Sequence, residues 1–356
     1  MKTKFYGKKI SSILTLLPET EYTFEDDMKY NNLSEKQNRK LQKTMGYDRH
    51  RFFKPDTYLS KVAIYGLKSM LDKKQLDKND ISAIVVSTST PDYLMPATSN
   101  LIMHGLELPS NVYAIDINQQ CSGFINGLLQ SFMLLNNDHM KKIILITGDV
   151  MVRNPDRSNT SGYPLSGDAI CITIIENCSK NLPIHVHTII DAKDYDALVF
   201  PGLGFREVTE EEQTKFSSEK YNFNSNLNSI HMDGQAVFQY VMQDVPKYIN
   251  ETLEFAKIKK DDLDYYFFHQ PNKFMVDKLA QKINVPEEKV PSNVVTYYGN
   301  SSSSTIPVCI CHNVKNEIIN NTYNSMLAGF GAGLSYSGIV MEIGEFDFCE
   351  IIITNF

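Results

Sequence analysis

The sequence predicts an α/β fold made of two similar halves. Three observations lead there. Short, β-branched, uncharged runs alternate with segments of helical periodicity, the pattern of strands covered by helices. The alternation runs through the chain twice. A short echo links the two passes: KNDISAIVVSTST (78–90) and KDDLDYYFFHQPN (260–272) both place Lys-x-Asp-(Ile/Leu) before a buried strand. In each pass a helix opening with small residues follows about 40 residues later, one at Cys121 and one at Ser301. The chain is divided into residues 1–178, with Cys121, and residues 179–356, with His269 and Asn300. Such alternation implies layered packing with mostly parallel sheets.

The elements follow in order. The N-terminal MKTKFYGKKISSILTLLPET has lysines and then a short apolar run broken by Ser11, Ser12 and Thr15. No small-residue cleavage pattern follows, so it reads as a first strand and not a signal peptide. Residues 81–90, 111–117 and 142–149 are buried strands. Between the last two, Phe124, Leu128, Phe132 and Leu135 recur at helical spacing, predicting a helix from Ser122 to Leu135. Residues 191–230 are polar and irregular, and long for a loop, which marks a functional flap or an interface insertion. DLDYYFFHQ (262–270) is a strand with a polar tip, residues 273–283 a helix, and residues 301–320 another. YNSMLAGFGAGLSYSGIVMEI (323–343) reads as two strands joined by a glycine-rich turn.

Composition narrows the function. The 356 residues are 42% hydrophobic, enough for a large core. A net charge of -7 with no basic stripe argues against a nucleic-acid partner. Six irregularly spaced cysteines are too few for a disulfide framework and fit a reducing cytosol. No apolar run approaches the roughly 20 residues needed to span a bilayer, so no membrane association is expected.

Three features stand apart from ordinary core. Cys121, in DINQQCSGFINGLLQ, opens a helix, where unpaired N–H groups favour a thiolate. Free cysteines are also commonly buried and inert, and local context leaves both readings open. His269 leaves a hydrophobic strand where α/β folds place their sites, though a hydrogen-bonded core histidine would look the same. Asn300 follows Gly299 in YYGNSSSST, which is equally a turn with a helix cap. Together they read better. Neutral His and Asn side chains can hold a developing oxyanion near a thiolate nucleophile. Gly329, Gly331 and Gly333 would let backbone N–H groups approach a substrate carbonyl. CICH (309–312) lacks a second ligand pair, and no metal is expected.

The ordered series Cys121, HQPN (269–272), GNSS (299–302) and GFGAGLSYSG (329–338) resembles the ketoacyl-ACP synthase III branch of the thiolase-like superfamily. The resemblance starts at KFYGKKISSILTLLPE, includes TMGYDRHRF and HMDGQAVFQYV, and ends at IVMEI. It implies a five-layer αβαβα fold of two pseudo-symmetric halves, and a homodimer. It implies that Cys121 carries the acyl group, that His269 and Asn300 hold the malonyl carbonyl, and that the Cys121 and Ala332 amides form an oxyanion hole. Asn272, Phe238 and Gly234 would line the pantetheine tunnel, and Met95 would reach across the dimer and limit the acyl pocket. The substrates implied are acyl-CoA or acyl-ACP and malonyl-ACP, with no other cofactor, in the cytoplasm. The usual adenine-gripping Trp and Arg fall near Lys40 and Thr44, and a carrier-docking Arg falls at Phe274. Lys273, Lys278 and Lys282 could take over docking of an acidic carrier protein. Gln119 and Gln120 replace small residues.

The expected chemistry is ping-pong. Helix-start placement and His269 lower the Cys121 pKa, the thiolate is acylated, and decarboxylation of a malonyl thioester gives the attacking carbon. The alternative keeps the fold and passes the acyl group to a hydroxyl or amine. A papain-like protease shares the order Cys, His, Asn but not the local signature, and a partner subunit with a vestigial site would not keep all three residues.

Overall fold

The computed structural model describes residues 1–30, 33–151 and 162–356. Its strands are β1 (Lys2–Tyr6), β2 (Lys8–Pro18), β3 (Glu21–Thr23), β4 (Arg49–Arg51), β5 (Ile81–Ser87), β6 (Tyr113–Ile117), β7 (Lys142–Asp149), β8 (Ala169–Asn177), β9 (Pro183–Ile190), β10 (Leu198–Val199), β11 (His231–Met232), β12 (Tyr265–Phe268), β13 (Thr322–Gly331), β14 (Ser335–Gly344) and β15 (Phe348–Thr354). Its α-helices are α1 (Phe24–Asp27), α2 (Glu35–Met45), α3 (Leu59–Asp72), α4 (Thr98–Gly105), α5 (Gly123–Leu134), α6 (Glu210–Phe216), α7 (Gly234–Ala256), α8 (Lys273–Ile283), α9 (Val294–Tyr298) and α10 (Thr305–Val314).

Two sheets organise the core. One runs β15-β2-β8-β7-β5-β6 and the other β1-β9-β14-β13-β12. The middle strands keep their charged residues to their ends or edges, as Lys142 and Asp149 of β7 and Glu176 of β8 show, because both faces of each sheet are covered. Helices α5 and α10 are apolar nearly all round and lie between the sheets, in one cluster with Phe124, Leu128, Phe132, Ile306, Val308 and Ile310. Helices α3 and α4 cover the outer face of the first sheet, and α7 and α8 that of the second. The result is the expected αβαβα stack.

The sheets are mixed, and the expectation of mostly parallel strands fails for the second. There only β12 and β13 pair parallel, while β1-β9, β9-β14 and β13-β14 are antiparallel. The short turn between Gly331 and Ser335 leaves no length for a crossover helix, so β13 and β14 form a hairpin. The division at 178/179 falls between β8 and β9, but the termini cross it. β1 completes the second half's sheet and β15 the first half's.

The sequence echo corresponds to a structural one. Lys78–Asp80 and Lys260–Asp262 both form 3₁₀ turns leading into β5 and β12. The segment 301–320 is helical only from Ser302 to Val314, because the chain must then turn back into β13. Residues 191–230 hold α6, two 3₁₀ turns and β10, which pairs with β11 over the mouth of the central cavity.

Candidate active site

The site lies where the two halves meet end to end. Gln120–Ser122 form a 3₁₀ turn that runs into α5, and Ser302–Ser304 form the matching turn that runs into α10. Each turn opens on a non-glycine residue in left-handed backbone, Gln120 at φ +42° and Ser302 at φ +52°. Such residues cost about 1–3 kcal/mol and persist only where the surroundings fix them. Strand β13 supplies that constraint. A Cβ on Gly329 would lie 2.6 Å from the Cys121 carbonyl oxygen, and one on Gly331 would lie 2.7 Å from Cys121 Cβ and 3.0 Å from Sγ. These two glycines therefore admit the cysteine itself, a tighter role than the substrate approach expected of them.

His269 and Asn300 reach the same point. The His269 ring is buried, and its Nδ1 lies 2.7 Å from Thr305 Oγ1. Burial is the main influence on its pKa and takes it down to about 3, so the ring is neutral at pH 7. The Asn300 amide is oriented by its neighbour: Ser302 N–H donates to Oδ1 at 2.9 Å. That leaves the Asn300 NH2 group as the donor end. Cys121, His269, Asn300 and Ser302 all border one cavity of about 390 Å³.

The electrostatics of Cys121 correct one expectation. Although the side chain keeps some exposure at the cavity wall, desolvation pushes its thiol up to about 12, outweighing the lowering influence of Ser302. Neutral His269 has no charge with which to lower it. Asp149, at the end of β7, adds a further upward push. This carboxyl is itself raised by burial. Its Oδ1 accepts from Ser89 N at 2.7 Å, Ser89 Oγ at 2.8 Å and Thr88 Oγ1 at 3.1 Å, while Oδ2 is buried with no hydrogen-bond partner. Ser302, Thr305 and Asp149 were not singled out from sequence. The signal for Asp149 was its place at the C-terminal tip of a buried strand, where α/β sites gather.

The remaining residues divide. Gly234, Phe238 and Asn272 line the cavity. No Cβ placed on Gly234 would meet an atom within 4 Å, so its backbone is open to a ligand. Asn272 Oδ1 accepts from Met275 N at 2.8 Å, capping α8. Phe238 and Phe274 stack at 6.2 Å, and Thr44 and Met45 of α2 complete the mouth. Ala332 follows Gly331 directly, and its carbonyl accepts from Ser335 Oγ at 2.9 Å. Met95 does not line the cavity and is 85% exposed, beside exposed Tyr93 and Leu94. Lys273 Nζ is held by Asp277 at 2.6 Å and Lys278 Nζ by Gln281 at 3.0 Å; Lys282 lies in the last turn of α8. Cys309 and Cys311 are buried in α10, and among the described residues no group of three metal-ligating side chains occurs.

The five layers, the paired helix starts and the thiol at the cavity wall define a thiolase-like fold. Comparison with known proteins narrows this. The family profile for 3-oxoacyl-[acyl-carrier-protein (ACP)] synthase III matches residues 115–192, and its C-terminal counterpart residues 253–343. The β-ketoacyl-[acyl-carrier-protein] synthase III of Lactococcus lactis subsp. cremoris is 31% identical over 80% of this chain and 84% of its own. A Campylobacter jejuni protein bearing the name 3-oxoacyl-[acyl-carrier-protein] synthase 3 is 28% identical over 99% of both chains. A crystal structure of 3-oxoacyl-(acyl-carrier protein) synthase from Burkholderia xenovorans LB400 superposes with a TM-score of 0.93 at 26% identity, over 99% of each chain. The chain belongs to the ketoacyl-ACP synthase III family of condensing enzymes. Among the described residues no helix is long and apolar enough to cross a membrane.

Proposed function

We propose that the chain is a β-ketoacyl-ACP synthase III that loads an acyl group on Cys121 and condenses it with malonyl-ACP. The observation that carries this reading is the oriented pair beside the thiol. Ser302 N–H ties down the Asn300 oxygen, which leaves the amide NH2 as donor, and His269 is kept neutral by burial. With the Thr305 hydroxyl donating to Nδ1, the His269 proton sits on Nε2, and two neutral donors then suit an enolate oxygen better than a base would.

The cycle has two halves. The Cys121 sulfur attacks an acyl thioester, a C–S bond forms, and the first carrier leaves as its thiol. A malonyl thioester then enters; its C–CO2 bond breaks and the electron pair passes into an enolate held by His269 and Asn300. The enolate carbon attacks the acyl–Cys121 carbonyl and expels the sulfur, giving a β-ketoacyl thioester. The amides of Cys121 and Ala332 serve as the oxyanion hole. The tunnel past Gly234, Phe238 and Asn272 takes the pantetheine arm, with acyl-CoA or an acyl carrier protein as donor, and no other cofactor is called for. Lys278 and Lys282 are better placed than Lys273 to meet an acidic carrier, because Asp277 already pairs with Lys273. A homodimer is supported by the free edge of β6, where residues 114–117 are half-buried, and by the exposed Tyr93–Leu94–Met95 cluster. The family favours a cytoplasmic enzyme.

The test separates the two half-reactions. Asn300→Ala should still take an acyl group on Cys121, seen by intact-protein mass spectrometry, yet release carbon dioxide from malonyl-ACP about 10²–10³-fold more slowly. An acyl adduct on the native enzyme without any carbon dioxide release would favour transfer to a hydroxyl or amine instead.

A further inference from the structure

The segment TMGYDRHRF (44–52) holds a histidine that the reaction steps do not use. His50 is fully buried and faces the buried Asp27. Its Nδ1 lies 2.8 Å from the Ser166 carbonyl oxygen, and a carbonyl only accepts, so Nδ1 carries the proton. Its Nε2 lies 3.0 Å from Asp27 Oδ2, an ion-pair distance without hydrogen-bond alignment. That oxygen also accepts from the Tyr47 hydroxyl at 3.3 Å. The imidazole has no room to swing, because the rings of Phe52, Tyr163 and Tyr47 stand 4.8, 5.4 and 5.9 Å from it. Ser166 carries this grip to the site. It pairs with Asn300 in a parallel bridge. Asn300 N–H donates to the Leu165 carbonyl at 2.5 Å, and the Asn300 carbonyl accepts from Gly167 N–H at 3.1 Å. Both main-chain groups of Asn300 are therefore held by residues 165–167. The Ser166 carbonyl lies against Gly299, where a Cβ would come within 2.6 Å of its oxygen. The segment around His50 also holds the chain just before Asn300. Asp48 N–H donates to the Thr296 carbonyl at 3.1 Å, and Thr296 Oγ1 to the Gly46 carbonyl at 2.8 Å.

We propose that His50, steadied by Asp27, is a positioning residue for Asn300. Its Nδ1–H fixes the Ser166 carbonyl, residues 165–167 fix the Asn300 main chain, and Ser302 N–H then aims the amide. Without the His50 donor, residues 165–167 can shift, and Asn300 shifts with them. A displacement near 1 Å costs about 10²-fold in rate even when it starts far from the reacting atoms. Cys121 is seated against Gly329 and Gly331 of β13 instead, so its acylation should be spared.

The inference rests on Asn300 as a holder of the enolate oxygen, and the experiment keeps the two apart. An Asn side chain places its NH2 group near the position of imidazole Nδ1, and a Gln side chain near that of Nε2. His50→Asn therefore keeps the donor to Ser166, and His50→Gln loses it. Three readouts are taken on native enzyme, both variants and Asn300→Ala. They are acylation of Cys121 by acyl-CoA, followed by mass spectrometry; carbon dioxide release from malonyl-ACP, as kcat and KM; and hydrogen exchange of the peptides that hold the Asn300 and Gly167 amides. His50→Gln should acylate at the native rate, release carbon dioxide about 10²-fold more slowly through kcat, and lose protection at both amides. His50→Asn should match the native enzyme in all three. A merely structural histidine predicts that the two variants behave alike, or that both half-reactions suffer equally. Either result, or full amide protection in His50→Gln, would overturn the inference. Should His50→Gln not fold, His50→Phe, which keeps a ring and has no donor, takes its place. Native carbon dioxide release by Asn300→Ala would count against the role given to Asn300, while amide protection, which needs no substrate, would still judge the role of His50.

Discussion

Gly331→Ala should disable the enzyme while leaving it folded. The added Cβ would sit 2.7 Å from Cys121 Cβ and 3.0 Å from Sγ. Non-bonded carbons settle at about 3.5–4.0 Å, so the contact falls short by about 1 Å. Neither side yields easily. Gly331 is the last residue of β13, paired with Ser335 of β14, and Cys121 is pressed from the other direction where Gly329 meets its carbonyl. Relief must come from shifting the Cys121 turn. A displacement near 1 Å of a reacting group costs about 10²-fold in rate. Overpacking of this kind costs stability only about 1–3 kcal/mol. The assay is single-turnover acylation of Cys121 by mass spectrometry, paired with a thermal melt. Gly204→Ala is the control, because its Cβ would meet nothing nearer than 3.9 Å. Native acylation by Gly331→Ala would refute the claim that this glycine makes room for the nucleophile.

Three further outcomes are expected. Thr305→Val removes the hydroxyl 2.7 Å from His269 Nδ1 and should slow decarboxylative condensation about 10–100-fold, the usual loss for a group that orients another, with acylation kept. Equal losses in both half-reactions would point to general misfolding of the site. Gly66→Ala would bring a Cβ within 2.6 Å of Leu16 Cδ1 and 2.7 Å of Ile172 Cδ1, lifting α3 off the sheet at a cost of about 1–3 kcal/mol in denaturant titration; an unchanged midpoint would show that the sheet side chains absorb it. His269 stays neutral in the fold down to about pH 3, whereas an unfolded histidine takes a proton near its model value of 6.5. Between those values the unfolded chain binds more protons, so native stability should fall on acidification by up to about 1.4 kcal/mol per pH unit. His269→Gln should lack that contribution, and identical pH slopes for the two proteins would contradict it.

Much of this was readable without coordinates. The strand at 142–149 and the helix at 273–283 have the bounds that periodicity assigned them. The Lys-x-Asp echo marks equivalent 3₁₀ turns because both halves must turn sharply into a buried strand. Cys121, His269 and Asn300 were found as a set, since each alone was better explained as core or turn. What failed were statements about surroundings. A helix-start cysteine looks acidic from its own dipole, but desolvation at the wall of the cavity outweighs it. Residues 191–230, expected as a functional flap or an interface insertion, do bring Leu198, Phe200 and Ile230 to the wall of the cavity.

Sequence by itself determined the periodicity, the duplication and the reactive residue types, because these depend on neighbours a few positions apart. Only the tertiary structure decided what those residues can do. Asp149, Ser302 and Thr305 are an ordinary strand end and two helix-start hydroxyls along the chain. They matter because β7 of one half ends beside the turn that opens α10 of the other, where Ser304 Oγ donates to the Thr147 carbonyl 157 residues away. Exchange of β1 and β15 between the sheets locks the halves in that register. Protonation and hydrogen-bond direction at the site follow from burial and from who stands opposite whom, and neither quantity is local in sequence.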